Sequence, residues 1–576
     1  MSEPRIRETT RGAEIRLTLP NDRVFVAPRG TSLGEIFRAA FPSPQAPLVA
    51  GVVDETLREL AYPIDGDVCA RPLFLTDSDG IRIYTRSLSF LMIVAAAQVF
   101  PGTRIYIDYS VPHGGYFCRV EGRAPFSMDE LARVRERMAT LVSEDQPIRR
   151  RRCSLEDIRS VFRERGAQDK LLLWEQQAED RHLHMYELDG VSDYFFGYMV
   201  PSTGILEVFR LEPFSDGFLL RFPRREHPTK LSPPGRFTQL REIFNEYGRW
   251  LDVLQVRDVG SLNHAIRSGR IEQAILVSEA LHEKRIAEIA TEIAARKRVD
   301  GTRLVYIAGP SSSGKTTFSK RLAIQLLANG VQPMPVEMDA YFHPRGLLTE
   351  RYGDAVDFDA FSALDSEQFR RDIERLVRGE AVDLPHYNFH TGERETGPTI
   401  RMGTDCVLLM EGIHGLNPAL LPKDEDAGSY IRIFVSALTQ LNLDSHNRVS
   451  TTDTRLLRRI VRDAAKRGYT AEGTLKLWEN VRRGEKTNIF PFQEEADMMF
   501  NSALVYELSV LKTAAESLLL QVRDPKQRIE AERLLALLEW FDPCDSVSIP
   551  SNSILREFVG GSILEDFRPV PTGGEC

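Results

Sequence analysis

Apolar residues recur along this chain in two rhythms, and the changes of rhythm mark its parts. Ile15-Arg16-Leu17-Thr18-Leu19 alternates as a half-buried strand does, Pro20-Asn21-Asp22 turns the chain, and Arg23-Val24-Phe25-Val26 returns. Ser32 with Glu35 three residues on is a helix start. Val49 to Val53 and Leu57 to Leu60 add strands. From Glu272 to Arg298 the rhythm becomes helical, with Ile275, Leu276, Ala280, Leu281, Ile286, Ile289 and Ile293 on one face. Leu304 to Ala308 and Cys406 to Met410 are unbroken apolar runs of strand length. Strand and helix signals alternate around them, which predicts an α/β domain with a parallel sheet and crossover helices. Arg528 to Trp540 reads as a late helix, with Leu534, Leu535, Leu537 and Leu538 as core positions.

These rhythms divide the 576 residues into 1–75, a small β-grasp-like domain; 76–225, an α+β module; 226–300, a helical connector opened by Pro228, Pro233, Pro234 and Gly235; 301–515, the α/β domain; and 516–576, a helical extension and tail. Composition adds little: 42% hydrophobic and 27% charged residues are those of an ordinary globular protein. A net charge of −9 excludes a large cationic field for nonspecific nucleic-acid binding. The six cysteines are scattered without a CxxC pair, which argues against a zinc ribbon or a disulfide framework and fits a reducing cytosol. The first residues lack the apolar core of a signal peptide, and the most apolar run, Leu88 to Phe100, is too short to span a bilayer. The expectation is a cytoplasmic protein with no membrane partner, open to homo-oligomerisation.

One stretch carries clear chemistry. Gly309-Pro310-Ser311-Ser312-Ser313-Gly314-Lys315-Thr316-Thr317 has the spacing GxxxxGK[ST], between a strand-like and a helix-like segment. Such a loop turns its amides on a phosphate, and the helix behind adds its positive end. Residues Gly309 through Thr317 are therefore the candidate ATP site. Lys315 reaches the β and γ phosphates, and the Thr316 hydroxyl ligates Mg²⁺. Asp339 follows the strand-like Val336-Glu337-Met338, placed to accept a proton or to hold metal; a helix cap is the alternative. Glu411 ends the second buried run and is a candidate Mg²⁺ partner. Arg455, Arg458, Arg459 and Arg462 fall at i, i+3, i+4 and i+7, one helical stripe of guanidiniums that suits a transferring phosphoryl or a solvent-facing basic helix. His182 and His184 lack a third ligand at useful spacing and read as strand histidines. Arg149-Arg150-Arg151-Arg152 is a basic run, either a grip for RNA or a nucleotide or a solvated cluster.

The residues also carry resemblances. The first hairpin, the turn Gly30-Thr31-Ser32-Leu33 and Tyr62-Pro63-Ile64 before Asp65-Gly66-Asp67 resemble the TGS domain of threonyl-tRNA synthetases, a binding or regulatory module. Asp77 to Leu91 and Asp193 to Gly204 resemble the opening and closing motifs of that family's second additional domain, which edits mischarged tRNA. Its HxxxH and its Cys and His fall here on Arg86, Phe90, Phe195 and Met199. Phe and Met cannot ligate zinc or shuttle a proton, so the fold is expected without the deacylase chemistry.

From Val305 to about Leu508 the chain resembles the phosphoribulokinase and uridine kinase family. The match runs through the phosphate loop, Met338-Asp339-Ala340-Tyr341-Phe342, Phe358-Asp359-Ala360-Phe361, Pro385-His386-Tyr387-Asn388, Glu411-Gly412-Ile413 and Thr454 to Asp463. The resemblance implies Asp339 as the catalytic carboxylate, assisted by Lys315, Arg459 and Arg462. It implies Asp359, Phe342, Tyr387, Arg455 and Arg458 around the acceptor, and Thr316, Asp339 and Glu411 around Mg²⁺. Departures from the family also stand out: its pyrimidine-contacting histidine falls on Gly392, with His390 two positions off, and Asn388 replaces a carboxylate. The whole arrangement resembles a group of bacterial nucleoside kinases. The expected function is ATP-dependent phosphoryl transfer to a nucleoside-like acceptor, with RNA or an effector at the N-terminal modules. The alternative is a nucleotide-dependent regulator or RNA-associated ATPase; a GTPase switch is its weaker form, since no NKxD motif follows the phosphate loop.

Overall fold

The structure is a computed structural model that describes residues 13–175, 182–235, 237–353, 360–388, 391–421 and 429–568. The chain forms two compact units: residues 1–235 with 442–448, and residues 236–441 with 449–576.

The first unit opens with a five-stranded sheet in the order Val24–Pro28, Glu14–Thr18, Val68–Phe74, Leu48–Val53, Thr56–Glu59. Glu14–Thr18 runs antiparallel to its hairpin partner and parallel to Val68–Phe74, the pairing of a β-grasp. The helix Leu33–Ala40 packs Leu33, Ile36 and Phe37 onto it, over Ile15 and Leu17. Its start is the one the Ser32/Glu35 spacing predicts: Ser32 Oγ accepts from the Glu35 amide, and Glu35 accepts from the Ser32 amide.

Next comes the helix Ser78–Val99, far longer than the apolar run visible in the sequence. Among the described residues it is the one helix long and apolar enough to cross a membrane, and 78% of its most apolar window is buried inside the fold. The run reads short because Thr85, Ser87 and Ser89 interrupt it. Inside the helix each hydroxyl donates to the carbonyl four residues back, so it can be buried at little cost. A four-stranded antiparallel sheet (Arg210–Phe214, Gly217–Arg221, Gly115–Glu121, Arg104–Val111) and a three-stranded one (Val191–Asp193, His182–Leu188, Arg149–Ser154) complete the unit.

Residues 442–448 supply part of this unit's interior. Lys170, 2% exposed, lies 3.0 Å from Asp193 and 3.3 Å from Asp444. Burial alone would push the Lys170 ammonium towards its neutral form, but Asp193, Asp444 and Asp169 overcome it and hold the charge. His446 Nδ1 stands 2.7 Å from Asp193, and its ring stacks on Phe195. Phe195 in turn meets Phe90 with 5.2 Å between ring centroids, and Met199 is buried beside them in sequence. Arg86 donates to the Tyr198 carbonyl at 2.6 Å. The positions where the resembled editing domain holds His and Cys thus carry aromatic packing and one arginine tied to backbone. Among the described residues no group of three or more His, Cys, Asp or Glu is arranged to hold a metal.

In the second unit the parallel sheet has the order Gln332–Glu337, Cys406–Glu411, Leu304–Ala308, Tyr430–Ser436, Met498–Asn501. Its central strand is buried at all five residues, which explains the unbroken apolar run. The first strand stops at Glu337, one residue earlier than the apolar pattern suggests, and Met338–Tyr341 is a single 3₁₀ turn. The segment read as a connector packs into this unit. Glu279 and Glu283 of the helix Ile271–Asp300 grip Arg321 of the phosphate-loop helix at 3.3 and 2.7 Å, and Glu279 accepts from Tyr506 at 2.7 Å. Cys69, Cys118, Cys153 and Cys544 are free thiols.

Candidate active site

The strand Leu304–Ala308 ends in the phosphate loop, and the helix Lys315–Ala328 begins at its far side. Glycine is required at both ends of the loop. A Cβ on Gly309 would lie 2.0 Å from the Val435 carbonyl oxygen, and Gly314 has φ +83° with Ile554 2.5 Å from where a Cβ would stand. Ser312 between them holds φ +59°, a strained conformation for a residue with a side chain. Neighbours fix the loop. Ser502 donates to the Ser313 carbonyl, Arg459 Nη1 to Ser311 Oγ at 3.0 Å, and the Ser311 amide to Glu485 at 3.2 Å. Among the described residues, buried Ser312 Oγ and Ser313 Oγ find no protein partner. Two orphaned hydroxyls in a concave ring of amides fit the oxygens of a bound phosphate chain.

A cavity of 230 Å³ opens over the loop, lined by Ser311 to Thr316 with Asp339, Glu411, Arg459 and Arg462. Lys315 Nζ lies 3.7 Å from Glu411 Oε1, and the Thr316 hydroxyl donates to Glu411 Oε2 at 3.3 Å. Burial drives the Glu411 carboxyl up to about 7; Lys315 opposes this, while Asp339, Glu337 and Glu557 add to it. Asp339 is also raised, first by burial and then by Glu337, against the pull of Lys315. Two carboxyls of raised pKa beside a lysine and two arginines make a site short of positive charge for its acids, as a metal-binding phosphoryl-transfer site is before loading. A hydroxyl and carboxylates are hard oxygen donors, the set that suits Mg²⁺, which keeps waters and phosphate oxygens as its remaining ligands.

Phe342 and Tyr387 line the same cavity and meet edge to face at 6.1 Å. Two predicted arginines do not line it. Arg455 and Arg458 are 1% and 0% exposed, and each is spent on a buried carboxylate: Arg455 on Glu485 at 2.7 Å, Arg458 on Glu507 at 2.5 Å. Their role corrects from acceptor binding to bracing the loop, since Glu485 receives the Ser311 amide and Arg458 also bonds Ser502. Gly309 and Thr317 flank the cavity; Thr317 donates to Glu557 through its amide and its hydroxyl, at 3.3 and 2.8 Å. Asp359 and His390 lie outside the described residues.

Arg345, Leu348 and Arg467 also line the cavity and escaped the sequence reading. Arg467 was within reach, because it stands four residues after Asp463, one further turn along the arginine helix, and pairs with it at 3.8 Å. Glu557 lies in the Ser/Gly-rich stretch from Ser548 to Ser562, which the sequence marks as able to close over a site or to pack as core.

Residues 304–509 match the Phosphoribulokinase / Uridine kinase family. This stretch is a kinase domain of that family. The N-terminal region is similar to threonine–tRNA ligases: that of Paracidovorax citrulli (strain AAC00-1) is 28% identical over 206 residues, 35% of this chain and 32% of that protein. The chain therefore spans about a third of the length of the curated relatives it matches. Among solved structures, a protein named as a fructose transport system kinase of Silicibacter sp. TM1040 is 23% identical, covering 37% of this chain and 98% of its own, with a TM-score of 0.28. D-glycerate 3-kinase from Cryptococcus neoformans var. grubii is 14% identical over 44% of this chain and 87% of its own, with a TM-score of 0.23. The kinase domain and the ligase-like region are joined in one polypeptide.

Proposed function

We propose that the kinase domain transfers the terminal phosphoryl group of ATP to a hydroxyl of a small, nucleoside-like acceptor. The observation that carries this reading is the convergence of the phosphate loop, Asp339, Arg459 and Arg462 on one cavity. Loop amides with Lys315 hold the phosphate chain. Asp339 accepts the acceptor's proton as its oxygen bonds to phosphorus and the bond to the bridging oxygen of the leaving ADP breaks. A carboxylate raised towards neutrality is the better base for that step. Arg459 and Arg462 offset charge on the moving group from the helix Thr451–Lys466. Thr316 and Glu411, with Asp339 beside them, are the residues that would hold Mg²⁺, which supplies charge neutralisation between the phosphates when bound. Phe342 and Tyr387 offer an aromatic wall to a flat acceptor such as a uridine- or cytidine-like nucleoside.

The test is incubation with labelled ATP, Mg²⁺ and a panel of nucleosides and sugar phosphates. A labelled nucleoside product supports the reading. A labelled sugar phosphate keeps the chemistry and replaces the acceptor. Free phosphate alone, released faster when RNA is added, supports a regulatory ATPase instead.

A further inference from the structure

A second cleft, entirely within the first unit, has a cavity volume of 720 Å³. Its wall is the strand Arg149–Ser154, and its mouth is framed by Arg58, Tyr62, His184 and Tyr198. The strand is the edge of its sheet, paired on one side only with His182–Leu188, and all four consecutive arginines line the cleft. Five arginines and one carboxylate, Glu59, line it; alternation along the strand puts Arg150 and Arg152 on the face of Glu59 and His184, and Arg149 and Arg151 on the face of Glu187, in a chain whose net charge is −9.

The partners are uneven. Arg151 is tied to Glu187 at 3.0 Å and Arg150 reaches Glu59 at 3.9 Å. Arg58, Arg149 and Arg152 have no ion pair among the described residues. Two tyrosine rings stand among these cations: Arg58 lies over Tyr62 and Arg150 over Tyr198, each at 4.9 Å. Tyr62 is 39% exposed, so a ring face is open to a ligand. The frame is rigid, since Ile148 donates to the Pro201 carbonyl at 2.9 Å and Arg86 holds the Tyr198 carbonyl. His184 is held below its ordinary value, first by burial and then by Arg150 and Arg152, and so stands neutral beside the arginines.

Like charges in adjacent positions repel, and among the described residues the cleft's arginines form ion pairs with Glu59 and Glu187 alone. Planar guanidinium forks match phosphate oxygens two at a time, and aromatic faces match a base. The volume suits one small ligand rather than a helix of nucleic acid. We propose that this cleft binds a nucleoside polyphosphate, with its phosphates on Arg150 and Arg152, which share one face of the strand, and its base against Tyr62 and Tyr198.

The proposal does not depend on the kinase reading, and its test silences the phosphate loop. Full-length Lys315→Ala protein is titrated calorimetrically with ATP, with tripolyphosphate and with a single-stranded RNA dodecamer, at two salt concentrations. The expected result is one ATP site that weakens with salt, at least tenfold tighter than tripolyphosphate, and weakened at least tenfold on adding Arg150→Gln and Arg152→Gln. Both arginines are exposed, and an unchanged melting curve shows that the variants fold. No ATP binding up to about 1 mM, or binding indifferent to the two substitutions, overturns the proposal and leaves the arginines as guards of a sheet edge. Equal affinity for tripolyphosphate removes the base contact, and RNA binding more than about a hundredfold tighter than ATP makes the cleft a polynucleotide site; either result also overturns it.

Discussion

Glu411→Gln separates what the site needs for binding from what the fold would prefer. The Glu411 side chain is 18% exposed and lies among Asp339, Glu337 and Glu557, with Lys315 at 3.7 Å as its compensating charge. Its carboxyl is raised from 4.5 to about 7. A pKa raised on folding means that the native state holds its proton more tightly than the unfolded chain. The stability this gives is fully present below pH 4.5 and is lost as pH rises through 7. At 1.36 kcal/mol for each pKa unit, the ionised carboxylate costs the unloaded protein about 3 kcal/mol at pH 8. Glutamine keeps the shape and the acceptor for Thr316 but carries no charge. The variant should therefore unfold several degrees higher than the parent at pH 8 and alike at pH 4.5, measured by calorimetry in chelator, while Mg²⁺-dependent transfer falls at least tenfold. A variant no more stable than the parent at pH 8, or a gap that does not shrink on acidification, would refute the electrostatic argument.

Asp339→Asn should lower turnover by about two to four orders of magnitude and leave the ATP dissociation constant within a few-fold, read by single-turnover assay and calorimetry. Glu485→Ala should cost about 3–5 kcal/mol by leaving Arg455 buried without its partner, and should weaken ATP binding because the Ser311 amide loses its brace; chemical denaturation and titration report the two effects. Lys170→Met should destabilise the first unit by a similar amount, with Asp193 and Asp444 left facing each other, and hydrogen exchange should place the loss in residues 149–200.

The phosphate loop was legible because its chemistry is local: glycines, lysine and threonine at fixed spacing between two recognisable elements. Asp339 and Glu411 were legible for the related reason that parallel strands deliver the residues at and just past their ends to one edge of the sheet. The arginine stripe was half legible. Periodicity puts Arg455, Arg458, Arg459 and Arg462 on one face, but their fates differ through Glu485 and Glu507, which sit 30 and 49 residues away. Glu557 reaches Thr317 across 240 residues, beyond any local pattern. The connector was legible as an amphipathic helix that packs, though its pattern does not say where. The register that puts Glu279 and Glu283 on Arg321 exists only in three dimensions.

The seven residues 442–448 impose an order on synthesis. Lys170 leaves the ribosome about 270 residues ahead of Asp444, and through that interval the ammonium has only Asp169 and Asp193 to meet. The first unit cannot be completed before most of the kinase domain has been translated, so a gene fragment ending at residue 235 would encode an incomplete fold.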